Sequence, residues 1–339
     1  MGTVRSFKYA VLLALAFSLA ASPDLTAQGK SGGKGGGGGG GQPVAGTVYF
    51  TFQNLTWSMD ADGNNKTFLR DGVGGEPSYD LHGGQRWFLT VQNGELFAMA
   101  EDTTSVGPLT DPLDDFVLFG EARWAKDDPG TSVDERDSYV GYMAIDSNAR
   151  ESIFSLSISW PSSVPSPSPA PVEVLSEVDI PAGTDLAHFD FAPDGVSLVY
   201  QVNTTGLGWA VGNQFLRVKD VLSGASRPLT NKFYYRPEWS PDGTKIAFES
   251  NGTVETINPD GTGQKVIARG SGGKNAMYVA DPRWSPTGSH MVYKRSPSTF
   301  SNTREAHILR TTKDGSSATT LTEGLQTSVF QQPTPVAWR

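Results

Sequence analysis

The chain has 339 residues, with 27 lysines and arginines against 36 aspartates and glutamates, a net charge of −9 and no cysteine. That length is ample for one large domain, and without thiols its stability must come from core burial. The acidic balance argues against a nucleic-acid partner, because a phosphate backbone needs a net basic surface or stripe.

The N-terminus carries Arg5 and Lys8, then an apolar run from Ala10 to Ala21 followed by small residues. This is the layout of a secretory signal peptide, so residues 1–27 are read as one, cut after Ala21 or Ala27. The run is too short to span a bilayer comfortably, and no later segment has the roughly 20 apolar residues of a transmembrane helix. No cysteine follows it, which excludes a lipid-anchored lipoprotein. Residues 28–45 are dominated by glycine and cannot bury apolar area to offset chain entropy, so they read as a flexible tether. A domain is expected over residues 46–339.

Within that domain a short unit recurs. Pro237-Glu238-Trp239-Ser240-Pro241-Asp242-Gly243 leads into Ile246-Ala247-Phe248, Arg283-Trp284-Ser285-Pro286-Thr287-Gly288 into His290-Met291-Val292-Tyr293, and Phe189-Asp190-Phe191-Ala192-Pro193-Asp194-Gly195 into Ser197-Leu198-Val199-Tyr200. Each copy is a short strand, a tight turn and a second strand. Proline presets one turn angle and glycine supplies the positive one. Looser copies follow in the same register, with aromatics at Tyr79, Trp124, Phe191, Trp239, Trp284 and Trp338 as six first strands. Asp62-Gly63, Asp260-Gly261 and Asp314-Gly315 mark a second tight turn later in the unit. A four-stranded unit of about 45 residues has the period of a propeller blade.

The expected fold is therefore all-β, a six-bladed propeller of four-stranded antiparallel blades. The orphan first strand at residues 335–339 should pair with Thr47-Val48-Tyr49-Phe50-Thr51-Phe52, closing the ring and removing exposed edges. Two excursions belong to the domain: an acidic insertion at residues 126–137 and a Pro/Ser-rich loop at residues 161–171, whose prolines suit only a surface position.

These motifs resemble TolB-type propeller repeats, marked by an aromatic-Ser-Pro-Asp-Gly turn, an apolar strand and a later Asp-Gly turn. The resemblance covers residues 46–339, strongly in three blades. Members of that type carry an α/β domain ahead of the propeller, and here the glycine tether stands in its place. The departure touches any role in the Tol envelope system and leaves the fold expectation intact.

No catalytic constellation is legible. There is no Gly-x-Ser-x-Gly elbow, and His82, His188, His290 and His307 lack metal-ligand spacing. No cofactor is expected. Asp60-Ala61-Asp62-Gly63-Asn64-Asn65 has the start of a calcium loop but no following bidentate glutamate, so it reads as an ordinary turn. Nine carboxylates between Asp111 and Asp137 read as a solvated, expanded turn.

Connections between second and third strands and between blades contain long loops with Trp209, Tyr234, Tyr235, Arg236, Lys274, Tyr278, Phe300, Arg304 and Phe330. Long loops on a rigid scaffold are where binding resides, and aromatics with cations make interface anchors. The reading is an exported, monomeric scaffold binding an envelope or extracellular protein or polymer. The alternative is a carbohydrate lyase or hydrolase with a metal at the channel mouth, for which His188 is the one histidine suitably placed.

Overall fold

The computed structural model describes residues 44–71, 75–102, 106–110, 116–126, 137–148, 150–161, 164–167, 170–204, 214–230, 234–273, 276–297, 305–323, 325 and 332–339. The expected signal peptide and nearly all of the tether lie outside these residues. Antiparallel strands form six blades, as the repeat predicts. No helix among the described residues is long and apolar enough to cross a membrane.

Blade 1 runs outward from the channel as Thr334–Trp338, Thr47–Phe52, Leu55–Asp60 and Thr67–Asp71. The C-terminal strand is thus the innermost strand of the N-terminal blade, with Val48 opposite Trp338. Thr47 and Arg339 exchange backbone hydrogen bonds beyond that ladder, so the ring is closed as expected. Blades 4, 5 and 6 begin at Thr184–Phe191, Tyr235–Trp239 and Met277–Trp284, each followed in order by three further strands.

The tight turns form as their residues dictate. In blade 5, Gly243 takes a φ of 67°, the Asp242 carboxylate accepts the Thr244 N–H at 3.0 Å, and Ser240 Oγ accepts the Lys245 N–H at 2.9 Å. The putting of an acidic side chain under its own turn recurs at Asp60, Asp194, Asp260 and Asp314. Both oxygens of Asp60 are used in this way, and Asp62 is tied to Arg310, so this segment is built as a turn.

Blades 2 and 3 depart from regularity. Blade 3 consists of Phe116–Trp124, Tyr139–Asp146 and Glu151–Ser159, and its outer strand is split into Ser166–Pro167 and Val172–Leu175, both paired to Glu151–Ser159. Pro167 therefore sits on a sheet edge, where a missing N–H is tolerated. In blade 2, Trp87–Gln92, Glu95–Ala100 and Val106–Pro108 form a regular ladder, but the inner strand is reduced to one bridge between Pro77 and Phe88.

This corrects the expected place of Tyr79. The Trp124 N–H is held by Glu76 as that of Trp284 is held by Glu238, so Glu76-Pro77 matches Glu238-Trp239 and proline stands in the aromatic column. The Ser78 N–H still donates to the Trp87 carbonyl at 2.7 Å and the Leu89 N–H to the Glu76 carbonyl at 3.0 Å, so the nitrogen of Pro77 points away from the ladder and, lacking an N–H, needs no carboxylate from the neighbouring blade. Tyr79 instead lies under the Arg339 guanidinium, 3.8 Å from ring to cation.

Apolar clusters fill five of the seams between blades: 2 with 3, 3 with 4, 4 with 5, 5 with 6, and 6 with 1. The seam between blades 1 and 2 is different. There Tyr49 meets Phe88 edge-on at 5.6 Å, Arg86 lies over Tyr49 and Arg70 over Phe88, and Arg339 is ion-paired with Glu76. Cation–π contacts contribute about 0.5–2 kcal/mol each. This seam depends on cations where the others depend on burial, and it adjoins the lapsed strand.

Removing residues 335–339 should lower the melting temperature sharply, since it takes the buried Trp338 from the cluster spanning blades 6 and 1 and bares two strand edges. Differential scanning calorimetry checks this, and an unchanged transition would contradict closure.

Candidate functional site

The inner strands leave one edge facing the channel, and their outward N–H groups there need acceptors. Three carboxylates supply them across seams. Glu76 accepts the Trp124 N–H at 2.9 Å, Asp190 that of Trp239 at 2.7 Å, and Glu238 that of Trp284 at 3.2 Å. The indoles of Trp124 and Trp284 also donate to the Glu76 and Glu238 carbonyls, at 3.1 and 3.2 Å. Each buried carboxylate has a cation: Arg339 on Glu76, Lys126 on Asp190, and Arg283 on Glu238 at 3.1 Å. A buried charge is tolerable only when so paired.

A second layer lies toward the side of the blade-to-blade connections. Glu121 bridges His188 Nδ1 at 2.7 Å and Arg123 at 3.0 Å. Burial would raise the Glu121 pKa, but Arg123 and His188 outweigh it and hold the carboxyl well below its usual range. In the next blades Arg236 and Asp281 form an ion pair, and both occupy the left-handed region, with φ of 51° and 53°. Each sits at a β-bulge in its inner strand. Such a conformation costs a non-glycine residue about 1–3 kcal/mol. Side chains of the preceding blade offset this: Gln201 accepts the Arg236 N–H at 3.0 Å, and Glu249 accepts that of Asp281 at 3.1 Å. Burial pushes Glu249 up in pKa despite Arg236, His188 and Lys294 nearby.

The lapse of the blade 2 inner strand leaves space. A cavity of about 430 Å³ is lined by Gly75, Glu76 and Leu89 to Val91 of blade 2, by Gly120 to Arg123 of blade 3, by Thr51 and residues 334–336 of the adjoining blade 1, and by Arg236, Asp281 and Arg283 of blades 5 and 6. These are the starts of inner strands and the ends of second strands, so the cavity belongs to the face of the blade-to-blade connections. Gly75 is required here, because a Cβ would lie 1.6 Å from the Leu89 carbonyl oxygen. Asp281 Oδ2 and Arg123 Nε are buried with no hydrogen-bond partner among the described residues.

Of the sequence-predicted binding residues that are among the described residues, Arg236 alone lines this cavity, with its side chain 37% exposed. Tyr235 is half-buried beside it. Tyr234 is buried in the core between blades 4 and 5, its ring 4.7 Å from Phe248 and its hydroxyl accepting from Gln264. Tyr278 is half-buried and hydrogen-bonds Lys294. Trp209, Lys274, Phe300, Arg304 and Phe330 lie outside the described residues. Second-to-third strand turns are tight in blades 1, 2 and 5, at Asn54, Asn93 and Asn251, so this face has long and short connections.

The acidic stretch is not uniformly solvated. Glu121 belongs to the channel wall, and Asp137 is fully buried, accepting the N–H groups of Tyr79 and Asp80 at 2.8 Å and meeting His82 at 2.9 Å. His82 stacks on Trp160 at 3.5 Å. Lys126, at the start of the insertion, is the cation on Asp190. Among the described residues no group of three or more His, Cys, Asp or Glu is disposed to hold a metal ion.

The arrangement defines a six-bladed propeller with an ion-paired channel and one polar cavity. No protein-family model and no curated sequence matches the chain. Among solved structures it is similar to a TolB-type protein from Agrobacterium tumefaciens, at 15% identity over 82% of this chain and 88% of that one, with a TM-score of 0.55. It is similar also to an oligogalacturonate lyase in complex with manganese, at 15% identity, 82% and 74% coverage and a TM-score of 0.49. A third is the calcium-binding protein regucalcin from A. tumefaciens, at 18% identity, 82% and 78% coverage and a TM-score of 0.45. At these identities the likeness shows the propeller fold.

Because the Glu121 pKa is depressed in the folded state, its contribution to stability is present above its unfolded value near 4.5 and is lost as pH falls through the folded value. The melting temperature should therefore fall with acidification below about pH 4.5, and Glu121→Gln should flatten part of that fall. Thermal melts of both proteins across the acid range check this; parallel profiles would contradict it.

Proposed function

We propose that the chain is an exported, non-catalytic scaffold that holds an extracellular or envelope protein or polymer on the face of its blade-to-blade connections. The observation that carries this reading is the cavity opened by the lapsed inner strand of blade 2, walled by the strained Arg236 and Asp281 pair. Non-glycine residues held at positive φ concentrate at binding and active sites, and bulges of this kind re-aim side chains next to such sites. The opposite channel mouth, framed by short turns such as Ser240 to Lys245 and Ser285 to His290, has a smaller cavity of about 280 Å³. Export is supported by the basic start, apolar run and small residues ahead of the tether.

A catalytic reading, a carbohydrate lyase or hydrolase with a metal at the channel mouth, has one supporting observation: His188 stands in the channel wall with its Nδ1 fixed by Glu121. A stoichiometric cation retained by the purified native protein would favour it over the scaffold.

Capture from the envelope of the exporting cell tests the scaffold directly. Replacing Tyr235 and Arg236 by alanine should weaken retention of the partner by about 2 kcal/mol or more, as anchors at interfaces do. Replacing Asp260 and Thr262, at a tight turn of the other face, should leave retention alone. The reverse pattern would overturn the assignment of the face. Mass spectrometry of the native protein should find a new N-terminus after Ala21 or Ala27, and an intact Met1 would contradict export.

A further inference from the structure

The cavity wall has a composition that selects among ligand chemistries. Its ionic residues are Glu76, Glu121 and Asp281 against Arg123, Arg236 and Arg283, three of each sign. Every one of them is already engaged with an opposite charge inside the protein. A wall so balanced projects no net field into the cavity, so a ligand ion gains little there and loses its hydration.

Two hydrogen-bonding atoms nevertheless remain unmet in that wall, the acceptor Asp281 Oδ2 and the donor Arg123 Nε. Unmet buried polar atoms cost about 1–3 kcal/mol each. A hydroxyl group both donates and accepts, and can satisfy either atom without bringing charge. Val91, Ala122, Pro335 and Val336 give the same cavity an apolar side. Its volume of about 430 Å³ lies in the range of small-molecule sites.

Resting on the binding reading above and deepening it, we infer that the cavity receives a neutral, hydroxyl-bearing ring, a single uncharged sugar residue of a glycan, with its hydroxyls toward Asp281 and Arg123 and its C–H face toward Val91 and Val336. The ion pairs then serve as fixed dipoles, and the specificity is against charged analogues. A uronate or an amine would each give up its hydration to a wall whose charges are already paired, with no free counter-ion to replace it.

The test uses the full chain and isothermal titration calorimetry with soluble neutral oligosaccharides, cellotriose, maltotriose and N-acetylchitotriose, against trigalacturonate and a chitosan trimer as charged counterparts. At least one neutral trimer should bind, with affinity little changed between low and high salt, and Val91→Trp should weaken it at least about tenfold with an unaltered melting temperature. Val91 is solvent-exposed, so this variant fills the cavity without loading the core. Asp281→Asn should weaken the same sugar. Absence of binding by every neutral trimer, tighter binding of a charged counterpart, or binding indifferent to Val91→Trp would each overturn the inference. A partner retained through Tyr235 and Arg236 but indifferent to Val91→Trp would also overturn it, while leaving the scaffold reading standing.

Discussion

The structure depends on a problem at the axis of the ring. The inner edges of the blades meet there, and a buried edge N–H with no ladder partner must find another acceptor. Carboxylates reaching from the preceding blade answer this at Trp124, Trp239 and Trp284. Their burial demands counter-ions, and Arg339, Lys126 and Arg283 follow from that demand. A buried ion pair adds little net stability over an apolar alternative, yet breaking one costs about 3–5 kcal/mol. The clamps therefore fix how neighbouring blades meet, while the apolar clusters between sheets supply most of the burial.

The irregular sector follows from the same constraint. Pro77 brings no outward N–H, so blade 2 needs no carboxylate from blade 1, and its inner edge is a single bridge flanked by two backbone hydrogen bonds. Glu76 remains in place to clamp Trp124, and Arg339 comes from the closing strand to neutralise it. The Arg339–Glu76 ion pair, the Arg339–Tyr79 contact and one wall of the cavity thus meet at one short segment, Gly75 to Tyr79. Across the channel, bulges turn Arg236 and Asp281 toward the same space. The proposed binding surface does not require a separate loop architecture; it is the place where the repeat is broken.

The fold was legible because turn chemistry recurs in sequence: Pro-Asp-Gly and Asp-Gly each impose a local reversal, and their spacing counts blades. Closure was legible from an orphan strand at Trp338. The candidate site was mostly hidden. Arg236 was found for the wrong reason, as a loop cation, when it is an inner-strand residue paired across a seam. Tyr234 looked like an anchor because it lies near a loop, but its ring packs on Phe248 in the core. Glu76, Glu121, Asp190, Glu238 and Asp281 carry no local signature, since apart from Arg123, two residues from Glu121, the partners that hold them across seams are 32 to 263 residues away along the chain. A signal was present in retrospect: in four blades an ionisable residue stands immediately before the aromatic, at Arg123, Asp190, Glu238 and Arg283. A charge at a fixed place in a buried strand indicates pairing across a seam.

The most direct test of this account is hydrogen exchange at the Trp284 amide in the intact protein and in Glu238→Ala. If the Glu238 carboxylate clamps blade 6 to blade 5, the variant should exchange at Trp284 far faster than the wild type. The change should exceed that at amides of blades 2 and 3, whose clamps are untouched. Equal protection of Trp284 in the two proteins would show that the blades meet without the carboxylate, and would contradict the account.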